Sequence, residues 1–198
     1  MARGKPREDA ILSAALAELM ARGYEAMTID DVAARAHASK ATIYRRWRNK
    51  ADLVKATLDA LDARDNAAIP ETGALRSDLL AVMAAIRRKA TAPYMTMIQD
   101  LVLASKRDAV LAEALRGHIE NEELSPFHEV LGRHFAKREV DFDLVHDVAE
   151  AMVLRRLYTG GALDAAFGMR VVDRLLLPLL NEKVNLVKGK SKRGRDRK

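Results

Sequence analysis

The sequence predicts an all-α protein: an N-terminal helix-turn-helix three-helix domain followed by a C-terminal helical domain. Three observations carry the fold class. Apolar residues recur at helical spacing along most of the chain, and β-branched residues are sparse. No stretch alternates with period two for long. Two short helical segments between residues 28 and 47 are separated by only three residues, His37-Ala38-Ser39, and the second is basic.

A first helix is expected over 7–22, where Ile11, Leu12, Ala15, Leu16, Leu19 and Met20 form one stripe. Gly23 then stands where a helix-ending glycine belongs. Thr28 is a good N-cap for a second helix over 29–36, with Asp31 supporting its positive start. Ser39 caps a third over 40–47, and a fourth over 50–66 turns Leu53, Val54, Thr57, Leu58 and Leu61 inward. The break Ile69-Pro70-Glu71-Thr72-Gly73 reads as a domain boundary. Helices are expected beyond it over 75–91, 93–106 and 108–138, the last kinked or split by Pro126. Two more follow over 142–158 and 164–180, around Thr159-Gly160-Gly161. The expected domains are 1–66 and 67–187, followed by a disordered basic tail over 188–198.

The charge is informative only by position. The chain has 198 residues, a formal net charge of +6 and a pI near 9.6. Residues 188–198 hold seven Lys/Arg and one acid, which leaves 27 basic and 27 acidic groups elsewhere. The basicity is therefore a property of the tail. Between residues 32 and 51, however, six basic residues occur without an acid: Arg35, Lys40, Arg45, Arg46, Arg48 and Lys50. Such a run attracts phosphate and releases counterions on binding. With no cysteine in the chain, disulfides, thiolate metal sites and cysteine nucleophiles are excluded. Neither an apolar run of spanning length nor an apolar leader is present, so no membrane partner is expected and the location is expected to be cytoplasmic. No glycine-rich phosphate loop, catalytic triad or metal-spaced histidine set occurs, so neither an enzyme nor a cofactor is expected.

A tight helix-turn-helix with a basic second helix is the geometry that places a helix in the major groove. Thr28 and Ser39 offer hydroxyls at helix starts to phosphate oxygens. Lys40, Thr42, Tyr44, Arg45 and Arg46 cover the exposed sides of the third helix, while Ile43 and Trp47 point inward. Base readout is expected from Lys40, Ala41, Thr42 and Arg45, since Lys or Arg matches guanine O6/N7 and a methyl can touch thymine. Tyr44 and Lys50 position rather than specify.

The run T-I-D-D-V-A-A-R-A-H-A-S-K-A-T-I-Y-R-R-W-R-N-K-A-D-L-V, residues 28–54, resembles the DNA-binding signature of the TetR family. The resemblance covers roughly the first sixty residues. It implies an all-helical homodimeric regulator whose second domain binds a small-molecule effector. It makes Thr28, Ser39, Thr42, Tyr44 and Lys50 phosphate contacts, and Lys40, Ala41 and Arg45 base readers. His37 replaces the usual turn glycine, at a position that calls for positive φ. Ala41 and Trp47 are further departures.

In the second domain, apolar width on the last two helices points to a four-helix homodimer interface built from Val145, Val148, Met152, Val172, Leu175, Leu176 and Leu179. Met83, Tyr94, Met97, Leu101, Phe127, Met152, Arg155 and Tyr158 are the candidate ligand contacts. The expected function is a ligand-responsive repressor acting as a homodimer on a palindromic double-stranded DNA operator. The rival reading is an architectural, nonspecific DNA binder that uses the basic tail.

Overall fold

The computed structural model describes residues 5–66, 69–121, 125–136 and 139–181, and among these every regular element is helical. The basic tail at 188–198 lies outside the described residues. The helices are α1 (Lys5–Ala26), α2 (Ile29–Arg35), α3 (Lys40–Tyr44), α4 (Lys50–Asn66), α5 (Leu75–Lys89), α6 (Ala92–Ser105), α7 (Ala109–Ile119), α8 (Pro126–His134), α9 (Phe142–Tyr158) and α10 (Ala165–Val171). None is long and apolar enough to cross a membrane. The described residues form two compact units. Unit 1 holds 5–66 and 89–121, and unit 2 holds 69–88, 125–136 and 139–181. The break at 69–73 thus marks where the chain leaves unit 1, and the chain returns to it at residue 89 for α6 and α7.

Unit 1 is built around α1, whose buried Ile11, Ala14, Ala15 and Leu19 share a core with Ile43, Trp47 and Leu53. At Gly23 the backbone leaves helical geometry, with φ 75 and ψ 173, so the regular stretch ends where the sequence places its stop. A side chain there would also put its Cβ 2.8 Å from an oxygen of Asp100 in α6. That same carboxylate accepts the Tyr24 amide at 2.6 Å. Only glycine serves both the turn and the close approach.

The helix ends follow cap chemistry. The Thr28 hydroxyl accepts from the Asp31 amide at 3.1 Å, and Ser39 accepts from the Thr42 amide at 3.2 Å. Thr91 caps α6, which is why α5 stops at Lys89 rather than running to 91. Pro126 opens α8 after Ser125, so the stretch expected over 108–138 is two helices. Pro178 has a comparable effect on the last helix. A proline ring crowds the carbonyl four residues back, and the chain widens into a π-turn over Val172–Leu176 before helical geometry resumes over 177–181.

Unit 2 encloses Leu79, Val82, Phe127, Val130, Leu131 and Val145 among its core side chains. Its polar anchor is Asp78, fully enclosed in the first turn of α5. Asp78 accepts the Thr72 amide at 2.8 Å, the Thr72 hydroxyl at 2.6 Å and the His134 Nε2–H at 2.8 Å.

Candidate nucleic-acid interface

Between α2 and α3 the chain makes a tight turn with a definite hydrogen-bond signature. The His37 amide donates to Ala34 O at 3.2 Å and the Ala38 amide to Ala33 O at 2.9 Å. This nested pair requires a left-handed residue after the helix cap, and His37 has φ 49. Histidine therefore occupies a glycine conformation. His37→Gly is expected to raise stability by about 0.5–1 kcal/mol in thermal melts, because the left-handed strain is relieved. A melt lower than wild type would contradict that account. The turn is also held from α1, where Arg7 donates to His37 O at 2.7 Å.

Helix α3, the expected reading helix, is shorter than its spacing suggests. It ends at Tyr44, and residues 45–47 form a turn in which the amides of Arg46 and Trp47 both reach Ile43 O. Ile43 and Trp47 are buried in the unit 1 core, as the four-residue spacing predicts. The opposite side faces solvent: Ser39, Lys40, Ala41 and Arg45 are exposed, Tyr44 is 51% exposed, and Thr42 is half-buried beside Ser39 at 2.9 Å between hydroxyls. Thr28 is exposed at the start of α2.

The basic run is less available than its count implies. Arg35 pairs with buried Glu18 at 2.6 Å, Lys40 with Asp30 at 2.5 Å, and Arg46 with Glu8 at 2.7 Å. Lys50 is turned toward the end of α1. Its ammonium donates to Tyr24 O at 2.7 Å, Met27 O at 3.2 Å and Glu25 O at 3.4 Å, and sits 4.2 Å over the Tyr24 ring. Burial lowers its pKa from the ordinary lysine value, the loss of hydration outweighing the nearby Asp108 and Glu25 charges. Lys50 thus braces carbonyls that the α1 kink leaves without helical partners, a role its spacing does not reveal. Tyr24 extends this brace, since its hydroxyl donates to Asp108 at 2.9 Å and its own pKa is raised, first by burial and then by that carboxylate. Among the described residues, Arg45 and Arg48 make no ion pair. The acidic partners Glu8, Glu18 and Asp30 all lie outside the basic run, and packing brings them to it.

The other expected sites are distributed differently. Tyr94, Met97 and Leu101 belong to the unit 1 core, and Met83 and Phe127 to the unit 2 core. Met152 is half-buried in unit 2, Arg155 is exposed and Tyr158 is 74% exposed. An open depression of about 480 Å³ along α10 is lined by other residues, among them Asp164, Met169, Arg170 and Arg174. Of the expected interface residues, Val145, Val172 and Leu176 have no exposed surface and are core of their own unit. Each helix has two apolar sides, and these three lie on the side that packs inward. Val148, Met152, Leu175 and Leu179 remain half-buried, and Leu144 is exposed next to them on α9.

Comparison with known proteins places these features. Residues 11–57 match the family model described as bacterial regulatory proteins, tetR family, and residues 69–175 match the tetracyclin repressor-like C-terminal domain. The chain is 50% identical over 184 residues to a DNA-binding transcriptional repressor TetR of Mycobacteroides abscessus, covering 91% of this chain and 97% of the relative. Among solved structures, it is similar to the TetR family transcription regulator SCO0332, with a TM-score of 0.66 and 28% identity, covering 86% of this chain and 96% of that one. Salmonella enterica GusR shares the fold at a TM-score of 0.63 and 17% identity, over 91% of this chain and 98% of the other.

Proposed function

Because the chain belongs to the TetR family of bacterial regulatory proteins, we propose that it is a transcriptional repressor that binds a near-palindromic operator as a homodimer and leaves it when a small molecule binds. The observation that carries the DNA-binding part is the split character of the reading helix. Ile43 and Trp47 fix it to the core while Lys40, Ala41, Tyr44 and Arg45 stand in solvent. Arg45, with no competing acid among the described residues, is the base reader of largest expected effect. Tyr44, Thr42, Thr28 and Ser39 offer hydroxyls to the phosphate backbone and set the register.

Dimerisation is supported by the outward apolar stripe Leu144, Val148 and Met152 of α9, with Leu175 and Leu179 beyond α10. A two-fold axis would set two reading helices about 34–36 Å apart, one turn of DNA. An effector releases the operator only by binding more tightly to the conformer in which this spacing is wrong.

The test uses a duplex selected from a randomised pool by the wild-type chain. Arg45→Ala is expected to cost about 1–3 kcal/mol on that duplex and to change the selected bases. Tyr44→Ala is expected to weaken binding to all duplexes by about 1 kcal/mol without changing preference. Wild-type binding by both variants would remove the assignment.

A further inference from the structure

The acidic side chains around the reading head are not equivalent. Glu18 is enclosed under Arg22 and Arg35, at 3.0 and 2.6 Å. Asp31 is folded back onto the Thr28 hydroxyl at 2.6 Å and onto Arg22 at 3.2 Å. Glu8 meets Arg46, past the end of the reading helix. Asp30 differs from all three. Its side chain is 61% exposed, and its carboxylate lies 2.5 Å from the ammonium of Lys40, the first residue of α3, itself 58% exposed.

A carboxylate beside the reading helix repels the phosphate backbone of every duplex alike, and it offsets the attraction of Lys40. It contributes favourably only where it meets a donor. The major groove offers such donors at cytosine N4 and adenine N6; carboxylates pair with the cytosine amino group, and an ammonium beside them, which matches guanine O6 and N7, favours the G·C pair. A neighbouring acceptor and donor on the protein thus match the two halves of one base pair.

Resting on the DNA-binding reading above, we propose that Asp30 is a specificity-determining residue: with Lys40 it reads a G·C pair in each operator half-site and disfavours generic duplex. The pair is exposed, so its loss leaves the fold intact and changes only what the head binds. Asp30 also weakens the pull of Lys40 on phosphate wherever no cytosine amino group is available.

The full chain, Asp30→Asn and Lys40→Gln are each used to select from a randomised duplex pool. Each is then titrated, over a range of salt, with the wild-type-selected duplex and a scrambled duplex of the same composition. Asp30→Asn is expected to bind the scrambled duplex up to about five-fold tighter, with a steeper salt dependence. It should bind the selected duplex no tighter than wild type does, and its own selection should lose one G·C preference per half-site. Lys40→Gln should relax the same position. An equal change on both duplexes, unchanged preference in Asp30→Asn, or relaxation at different positions in the two variants overturns the proposal. If the wild-type chain selects no sequence at all, the DNA-binding reading itself fails and the proposal with it.

Discussion

Trp47→Ala is expected to lower the stability of the protein by about 3–5 kcal/mol and to abolish sequence-specific DNA binding. Trp47 is 8% exposed and shares the unit 1 core with Ile11, Ile43 and Leu53. The reading helix has only five residues, too few to persist without tertiary support. Its attachments are the Ser39 cap at one end, Ile43 in the middle and Trp47 just beyond the other end. Deleting the indole leaves a cavity under the turn that carries Arg45 and Arg46, so neither side chain keeps a fixed support. For a chain of this size the cost corresponds to a fall in Tm of roughly 10 °C. Trp47→Phe, which fills most of the space, should retain the greater part of both stability and binding. An unchanged melt and full binding in Trp47→Ala would show that the reading helix is anchored elsewhere.

The second large effect is expected in unit 2. Asp78→Ala should cost about 1–3 kcal/mol, because it removes a fully buried carboxylate and with it the shared acceptor of the Thr72 amide, the Thr72 hydroxyl and the half-buried His134 ring N–H. The same group gives a pH signature. Hydrogen bonds from Thr72, the hydroxyl first, with His134 assisting, hold its pKa at about 2, below the ordinary 3.8, against the opposing effect of burial. The folded state therefore binds this proton more weakly than the unfolded chain. Stability from Asp78 is fully present above about pH 4 and is lost as the pH falls from there toward 2. Denaturant titrations at successive pH values should show the wild type losing stability over that window and Asp78→Ala losing less. The two curves should converge at the acid end. Parallel curves would mean that Asp78 does not carry the acid sensitivity.

Much of the reading head was legible in the sequence because its determinants are local. Thr28 and Ser39 cap helices whose starts lie within three residues of them, and Gly23 and His37 mark left-handed turns that their neighbours demand. Ile43 and Trp47 fall on one helical face by spacing alone. What escaped is what depends on partners distant in sequence. Lys50 is a brace for α1 rather than an exposed cation, because its carbonyl partners lie 23 to 26 residues earlier. Arg46 and Arg35 are engaged by Glu8 and Glu18 from α1. The run from 32 to 51 contains no acid, yet folding supplies three from outside it.

In the second half the limits are different in kind. Periodicity identifies an apolar stripe but not which of two stripes faces inward, and Val145, Val172 and Leu176 lie on the inward one. Pro178 was visible, but a proline near a helix end is compatible with a kink, a stop or the π-turn that forms.

The sequence by itself determined the all-helical class, the caps and breaks that divide the helices, and the helix-turn-helix with its inward and outward faces. These are set by hydrogen bonds and rotamers within a few residues. Only the tertiary structure decided which charges remain available to DNA, which apolar faces stay outside, and that α6 and α7 pack with the DNA-binding helices. Such matters turn on desolvation and pairing between segments far apart in the chain, and no local pattern encodes them.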